Sequence, residues 1–353
     1  MSQLSTITQH LRDGLDLNEA DCAAAAQALT ESGVEPAGKK AFLDALHAKG
    51  ESVEEVTTFA KVFRKLAKDP QLSDIAPEAI DIVGTGGSGS RGYNISSVTA
   101  FIVAASGSKV LKHGNRAITS QSGSADFLSA WGIRMDTEPE LLRNAIEELN
   151  FCFFFAPAFH PAFKEIMPVR KEMAAEGKRS IFNILGPLIN PAKPAYQLLG
   201  VFSPSWVQPL AQALHNLGLK RGLTVCCQLP GGLNMDEFTT AGDNLISGFG
   251  SLESLQDSWN ASSLGLPPTG MDQLRGGTAI ENKAILEDIL EGGGRSGLVD
   301  TLVLNAAAAF LILEKVDSLA EGQSLAREIL LGGALRSWLD RAQAFYKATN
   351  PAE

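Results

Sequence analysis

At 353 residues and 44% hydrophobic composition, the chain can fold as one large or two unequal domains around an ample core, which excludes a disordered polypeptide. A formal net charge of −10 excludes a general nucleic-acid surface, because phosphate backbones bind basic faces, so any anion site must be local. Its four cysteines have neither CxxC nor zinc-ligand spacing, which fits buried thiols in a reducing cytosol and offers no Cys/His metal cluster.

Arg12, Asp13 and Asp16 stand where a signal peptide would be apolar. No apolar run reaches the roughly 18 residues of a membrane span, so a soluble cytoplasmic protein is expected. Residues 1–72 read as helical. Asn18 caps a run with Ala23, Ala26 and Leu29 at helical spacing, ended by Gly33. Pro36 opens a segment with Phe42, Leu43 and Leu46 on one face, stopped by Gly50. Ser52-Val53-Glu54-Glu55 reads as a capping box for a third helix through Phe59, Val62 and Phe63.

The stretch from Gly84 to Asp126 holds the candidate site. Residues 80–83 are a short β-branched run, 98–105 an apolar run of helical length closed by Gly107, and 109–111 a second short strand. Strand, glycine loop, helix, strand and loop make a βαβ unit, which sets both polar loops at the C-terminal edge of a parallel sheet, where open α/β folds bind ligands. In Gly84-Thr85-Gly86-Gly87-Ser88-Gly89 the missing Cβ atoms allow a sharp turn and close backbone approach, and amides at the following helix start attract an anion. Asn94, Ser96 and Ser97 add donors there. Lys112 and Arg116, placed on the second loop, supply mobile positive charge. The whole reads as a polyphosphate cradle. No Lys follows the glycines in the GxxxxGK[ST] register, which excludes a Walker loop. Nor is the GxGxxG match a dinucleotide site, since Lys112-His113 stands where an acidic residue would meet a ribose diol.

Further on, residues 127–131 continue a helix ended by Gly132, and Thr137-Glu138-Pro139-Glu140 reads as a capping box before the stripe Leu142, Ala145, Ile146, Leu149. Residues 151–155 form a buried strand leading to His160, Phe163 and Arg170. The planar guanidinium of Arg170 suits either a ligand carboxylate or an inter-domain ion pair. His160, beside prolines, reads on its residues alone as a turn histidine, and Lys178-Arg179 as a solvated basic face. Strands are expected at 197–201 and 223–228, with a helix at 207–217 between them. Neighbouring carboxylates face opposite ways on a regular strand, so Asp236 and Glu237 reach one site only from a loop or strand end. There they could hold magnesium, which commonly takes one or two carboxylates, or be an acidic turn. A loop at 252–274, helices at 282–290 and 302–313 with Asn305, and a final helix at 330–346 complete the chain as scaffold.

Taken in order, Gly84-Thr85-Gly86-Gly87, Asn94-Ile95-Ser96-Ser97, Lys112-His113-Gly114-Asn115-Arg116, Ser122-Gly123-Ser124-Ala125-Asp126, residues 181–188 and Asp236-Glu237 resemble anthranilate phosphoribosyltransferases, which belong to glycosyltransferase family 3 with a nucleoside-phosphorylase-like fold. The resemblance covers nearly the whole chain. It implies an α/β fold class: a small α-helical domain (1–72, with a returning segment at about 160–190) and a large α/β domain (73–353) whose mainly parallel sheet is flanked by helices. The implied reaction joins the amine of anthranilate to 5-phosphoribosyl 1-diphosphate, releasing diphosphate, in tryptophan biosynthesis. Donor binding is implied for Gly84, Gly87, Ser88, Asn94, Ser96, Ser97, Lys112, Ser120 and Ser124, with catalytic roles for Lys112 and Asn115. Acceptor binding is implied for Gly84, Asn115, His160 and Arg170, and Mg2+ binding for Ser96, Asp236 and Glu237. The family also implies a homodimer through the helical domain, with no nucleic-acid or membrane partner. Its first loop usually reads Gly-Thr-Gly-Gly-Asp, with a Thr two residues before the Asn, where this chain has Ser88 and Gly92. Those departures leave open a phosphoribosyltransferase for another amine or a paralogue that binds without turnover. A pyrimidine-nucleoside-phosphorylase-like enzyme would carry a Lys-His-Ser-Thr-Gly-Gly type loop at Lys112-His113-Gly114-Asn115.

Overall fold

The computed structural model describes residues 2–87, 89, 92–117, 121–135 and 137–349. One sheet contains β1 (Ile80–Gly84), β2 (Val110–Gly114), β3 (Phe151–Phe155), β4 (Tyr196–Gly200), β5 (Arg221–Gln228), β6 (Asn234–Met235), β7 (Asp243–Gly250) and β8 (Gln256–Trp259). Its order is β3-β2-β1-β4-β5-β7-β8, with β6 paired to β5. The first five strands run parallel, while β6, β7 and β8 join antiparallel. Continuous apolar runs make the parallel strands, because helices cover both faces of such a sheet.

Alternate strand residues feed two cores, as the period of two requires. Ile80, Ile82, Leu198, Leu223 and Val225 face helices Ile95–Ala105, Ser296–Ile312 and Ala334–Ala348. There Trp338 packs on Phe101 and Phe151 at ring-centroid distances of 5.0 and 5.7 Å and donates its Nε1–H to Leu149 O at 2.7 Å. Burying each such side chain stabilises by about 1.5–3 kcal/mol. On the opposite side, Leu199, Val201 and Cys226 share a core with Phe42, Phe59 and Phe63 of helices Pro36–Lys49 and Val53–Leu66. Ile166, Val169, Met173, Ile181 and Phe182 complete that core, so the segment bearing Arg170 packs against the N-terminal helices.

Asn18 caps Glu19–Thr30 by accepting the Asp21 N–H at 2.9 Å, and Ser52 with Glu55 forms the reciprocal capping box. Other expectations need correction. Ser2 caps an additional helix, Gln3–Arg12, inside the stretch expected to be helical, with Leu4, Ile7 and Leu11 buried along one face. Thr137 does not start a capping box: helix Pro139–Leu149 begins after Glu138, which makes no side-chain cap bond, because Pro139 at the first position already fixes φ. The helix expected at 330–346 is Ala334–Ala348, starting later because Gly333 turns left-handed at φ +93°, and a separate helix, Leu319–Leu331, precedes it. Strand β8 falls within the stretch read as loop, since it is short and polar, and β7 ends just before that stretch.

Candidate active site

Strand β1 lies between β2 and β4, so the chain crosses over in opposite directions on its two sides, and a crevice opens at the C-terminal ends of β1 and β4. Two paired glycines floor it. Gly84 lies opposite Gly200, and a Cβ on either would strike Asp236: 2.7 Å from its Oδ2 in the first case, 1.7 Å from its carbonyl oxygen in the second. Asp236 therefore sits over the crevice because both strand ends lack side chains. The loop leaves the end of β6 at this point, and Asn305 pins it by accepting the Phe238 N–H at 3.2 Å and donating to Phe238 O at 2.8 Å.

The glycine loop closes over the same point. Gly86, Gly87 and Gly89 all adopt left-handed φ, +67°, +76° and +72°, which other residues resist. Gly86 N–H donates to Asp236 Oδ2 at 2.8 Å, and Ser96 N–H, at the start of helix Ile95–Ala105, donates to Glu237 Oε1 at 3.2 Å. Burial, reinforced by neighbouring Asp236, pushes the Glu237 carboxyl upward, and burial lowers the Lys112 ammonium against the pull of Asp81 and Glu237. Asp236, Glu237 and the Ser96 hydroxyl are oxygen donors of the kind a hard cation takes. Among the described residues no group of three or more His, Cys, Asp or Glu could hold a metal alone, so any cation here needs further oxygens from substrate or water. Ser97 is 1% exposed and its Oγ has no partner among the described residues, a donor held ready at the helix start.

The second loop is built by Asp126, whose Oδ2 accepts Ala117 N–H at 2.9 Å and Gly123 N–H at 3.0 Å, while Ser124 Oγ donates to Asn115 O at 3.2 Å. Asn94 joins the two loops, donating to Ser122 O at 3.3 Å and accepting from Ser122 Oγ at 3.0 Å and Asn282 Nδ2 at 2.7 Å.

Residues 5–67 match the glycosyl transferase family, helical bundle domain, and residues 76–335 match the glycosyl transferase family, a/b domain. Anthranilate phosphoribosyltransferases of Petrotoga mobilis and of a Bradyrhizobium species are 42% and 40% identical, over 86% and 95% of this chain and 86% and 96% of theirs. The crystal structure of anthranilate phosphoribosyltransferase from Thermus thermophilus superposes with a TM-score of 0.85 at 38% identity, covering 97% of this chain and 99% of that one. The chain belongs to the anthranilate phosphoribosyltransferase family. A more distant structure, the Saccharomyces cerevisiae enzyme in complex with PRPP and Mg, shares the fold at TM-score 0.83 and 22% identity, covering 98% of each chain. The protein is thus a phosphoribosyltransferase, and these relatives favour neither the phosphorylase-like nor the binding-paralogue alternative.

In this anthranilate phosphoribosyltransferase family member, Gly84, Gly87, Asn94, Ser96, Ser97, Asn115, Ser124, Asp236 and Glu237 all come together at the crevice or on its two loops. Ser88 and Ser120 lie outside the described residues. Lys112 is not on a mobile loop. Strand β2 extends through Gly114, leaving Lys112 1% exposed with its Nζ bonded to Ile82 O, below the crevice rather than reaching across it. Arg116 is exposed but already paired, its Nη1 lying 3.0 Å from Asp126 Oδ1. Both cations read as free are already committed.

Arg170 stacks over the Phe182 ring at 5.4 Å, and the half-buried guanidinium has no carboxylate partner among the described residues, which removes the inter-domain ion pair. His160 is buried, stacked on Phe163 at 5.2 Å and 5.3 Å from the His113 ring. Its Nε2 has no partner among the described residues, and burial pushes the imidazole down to about 4. Arg179, taken for a solvated charge, instead donates from Nη2 to Gly87 O at 3.1 Å. No local signal marks it, since a basic pair in a polar stretch is usually surface.

Proposed function

We propose that the protein joins the amine of anthranilate to C1 of 5-phosphoribosyl 1-diphosphate and releases diphosphate, as a step of tryptophan biosynthesis. One observation carries this reading: Asp236 and Glu237 bond the amides of Gly86 and Ser96, so the carboxylate pair and the phosphate cradle are one site. In the mechanism, the aryl amine is already a neutral nucleophile at pH 7 and needs no strong base. Its nitrogen bonds to C1 as the C1–O bond breaks, the diphosphate departs with the bonding pair, and the resulting ammonium then passes its proton to water or to the departing diphosphate. Catalysis comes from holding donor and acceptor in line and from placing positive groups where the diphosphate charge grows. Amides of the left-handed Gly87 and Gly89 and the Ser97 hydroxyl receive phosphate oxygens, with Asn94, Ser124 and the Ser96 hydroxyl framing them, and the Lys112 ammonium offsets negative charge from beneath. Arg170 takes the anthranilate carboxylate bidentately, with Asn115, His160 and the Gly84 backbone around the ring. Mg2+ fits the oxygen donors of Asp236, Glu237 and Ser96, and when bound it would neutralise charge on the departing diphosphate.

A helical domain of residues 1–72 with a returning segment at about 160–190 forms one wall, and residues 73–353 form the donor-binding domain. The helical domain also provides the contact of a homodimer. All four cysteines are buried, which fits a reducing cytoplasm, and among the described residues no helix is long and apolar enough to cross a membrane. The test is diphosphate release from the donor with Mg2+, with and without anthranilate. Release should require both, and Asp236→Asn with Glu237→Gln should abolish it, because amides keep the shape but lose the charge. Wild-type rates in that double variant at limiting Mg2+, or release indifferent to anthranilate, would overturn the assignment.

A further inference from the structure

The Arg179 guanidinium carbon lies 3.8 Å from the centroid of the Phe202 ring while Nη2 holds Gly87 O at 3.1 Å. Phe202 N–H in turn donates to Thr85 Oγ1 at 3.0 Å, and Thr85 N–H donates to Gly200 O at 2.9 Å. One exposed side chain therefore grips the glycine loop at two points, Gly87 directly and Thr85 through Phe202. Between those points lies Gly86, whose amide faces Asp236. A loop of left-handed glycines loses much backbone freedom when it orders, so a clamp from outside the loop decides how readily it does so.

The clamp stands on the same segment as the acceptor anchor. Arg170 belongs to helix Met167–Ala175, and its guanidinium lies over Phe182 of helix Phe182–Leu185; Arg179 is in the short link between these helices. The link is itself held, by Lys178 N–H to Met173 O at 2.9 Å and Ser180 N–H to Asn183 Oδ1 at 2.8 Å. Arg170 and Arg179 are thus joined by a link hydrogen-bonded at both ends.

We propose that Arg179 is a positioning residue that couples the two substrates: a carboxylate seated on Arg170 fixes the link, Arg179 then holds the glycine loop in its phosphate-binding form, and each substrate tightens the other. The proposal rests on the donor and acceptor assignments above. Equilibrium coupling between sites is reciprocal, which gives it a test free of turnover. Inorganic diphosphate with Mg2+ is titrated calorimetrically with and without anthranilate, and anthranilate with and without diphosphate. In the wild type each ligand should tighten the other about fivefold or more. Arg179→Lys keeps the charge but loses the planar fork, and Phe202→Leu loses the ring. In both variants the factor should fall to within about twofold of one, with the affinity for anthranilate alone unchanged. A wild-type factor of one, an undiminished factor in both variants, or loss of anthranilate binding by itself in Arg179→Lys would overturn the proposal. Turnover of wild type with both true substrates, run alongside, isolates failure of the functional assignment: coupling can fail with turnover intact, whereas absent turnover condemns the assignment.

Discussion

Gly200→Ala isolates the geometric demand at the centre of the crevice. Gly200 is an ordinary strand residue, so space alone requires glycine there. The added Cβ would lie 1.7 Å from the Asp236 carbonyl oxygen and 2.5 Å from its carbonyl carbon, where real contacts stay above 3.0 Å, so the Asp236 backbone must retreat by at least 3.0 − 1.7 = 1.3 Å. Overpacking of this kind costs about 1–3 kcal/mol. With an unfolding entropy of about 2.1 cal/mol/K per residue, that lowers Tm by about 1–4 °C. Activity should suffer more, since a misplacement of about 1 Å in a reacting site costs on the order of 100-fold. Gly84→Ala is the matched control: its one close clash, at 2.7 Å, is with the Oδ2 end of the same side chain, which can swing aside with loss of the Gly86 bond while the backbone stays. It should barely move Tm. Calorimetric melting together with diphosphate release against Mg2+ concentration measures both variants. If Gly200→Ala kept the wild-type rate and Mg2+ dependence, Asp236 would not be positioned by this contact, and the reasoning would fail.

Arg170→Ala should raise the anthranilate KM about 10–150-fold, the value of a charged hydrogen bond, and leave donor affinity unchanged; an unchanged KM would remove Arg170 from the acceptor subsite. Acid should weaken the fold in a defined window. Burial holds His160 down to about 4 and, with His160 beside it, His113 down to about 3, so the unfolded chain takes up these protons first. Their stability is full above pH 6.5 and falls as pH drops toward 4, by about 3 kcal/mol for His160. Burial raises Asp81 to about 6, which runs the other way, adding stability as pH falls from 6 to 3.8. Asp81→Asn should therefore steepen the acid loss in urea titrations, and a shallower loss would contradict the assignment. Finally, Ser88→Asp with Gly92→Thr should raise turnover with anthranilate or leave it unchanged; a folded, donor-binding double variant without activity would mean that the loop serves another acceptor.

Much of the site was legible before any fold was known, for local reasons. The glycines of the first loop, the strand before it and the helix after it lie within a few residues of one another, and the left-handed φ of Gly86, Gly87 and Gly89 is a property only glycine supplies cheaply. The carboxylate pair could be placed at a strand end because period two forbids both from facing one way within a strand. The failures share a cause. Lys112 and Arg116 look like mobile charges in any linear reading, yet one lies within β2 and the other is paired with Asp126.

The amino-acid sequence by itself determined the βαβ unit, the anion-attracting loop and the residue types around it, because period, propensity and glycine conformation act over a few neighbours. Tertiary structure alone decided which distant groups meet there. Asp236 reaches Gly86 across 150 residues and Arg179 reaches Gly87 across 92, through sheet order and through packing of the returning segment on the N-terminal helices. Burial followed the same rule, since a side chain's exposure depends on what packs over it, and that is written in no window around Lys112, Arg170 or Arg179.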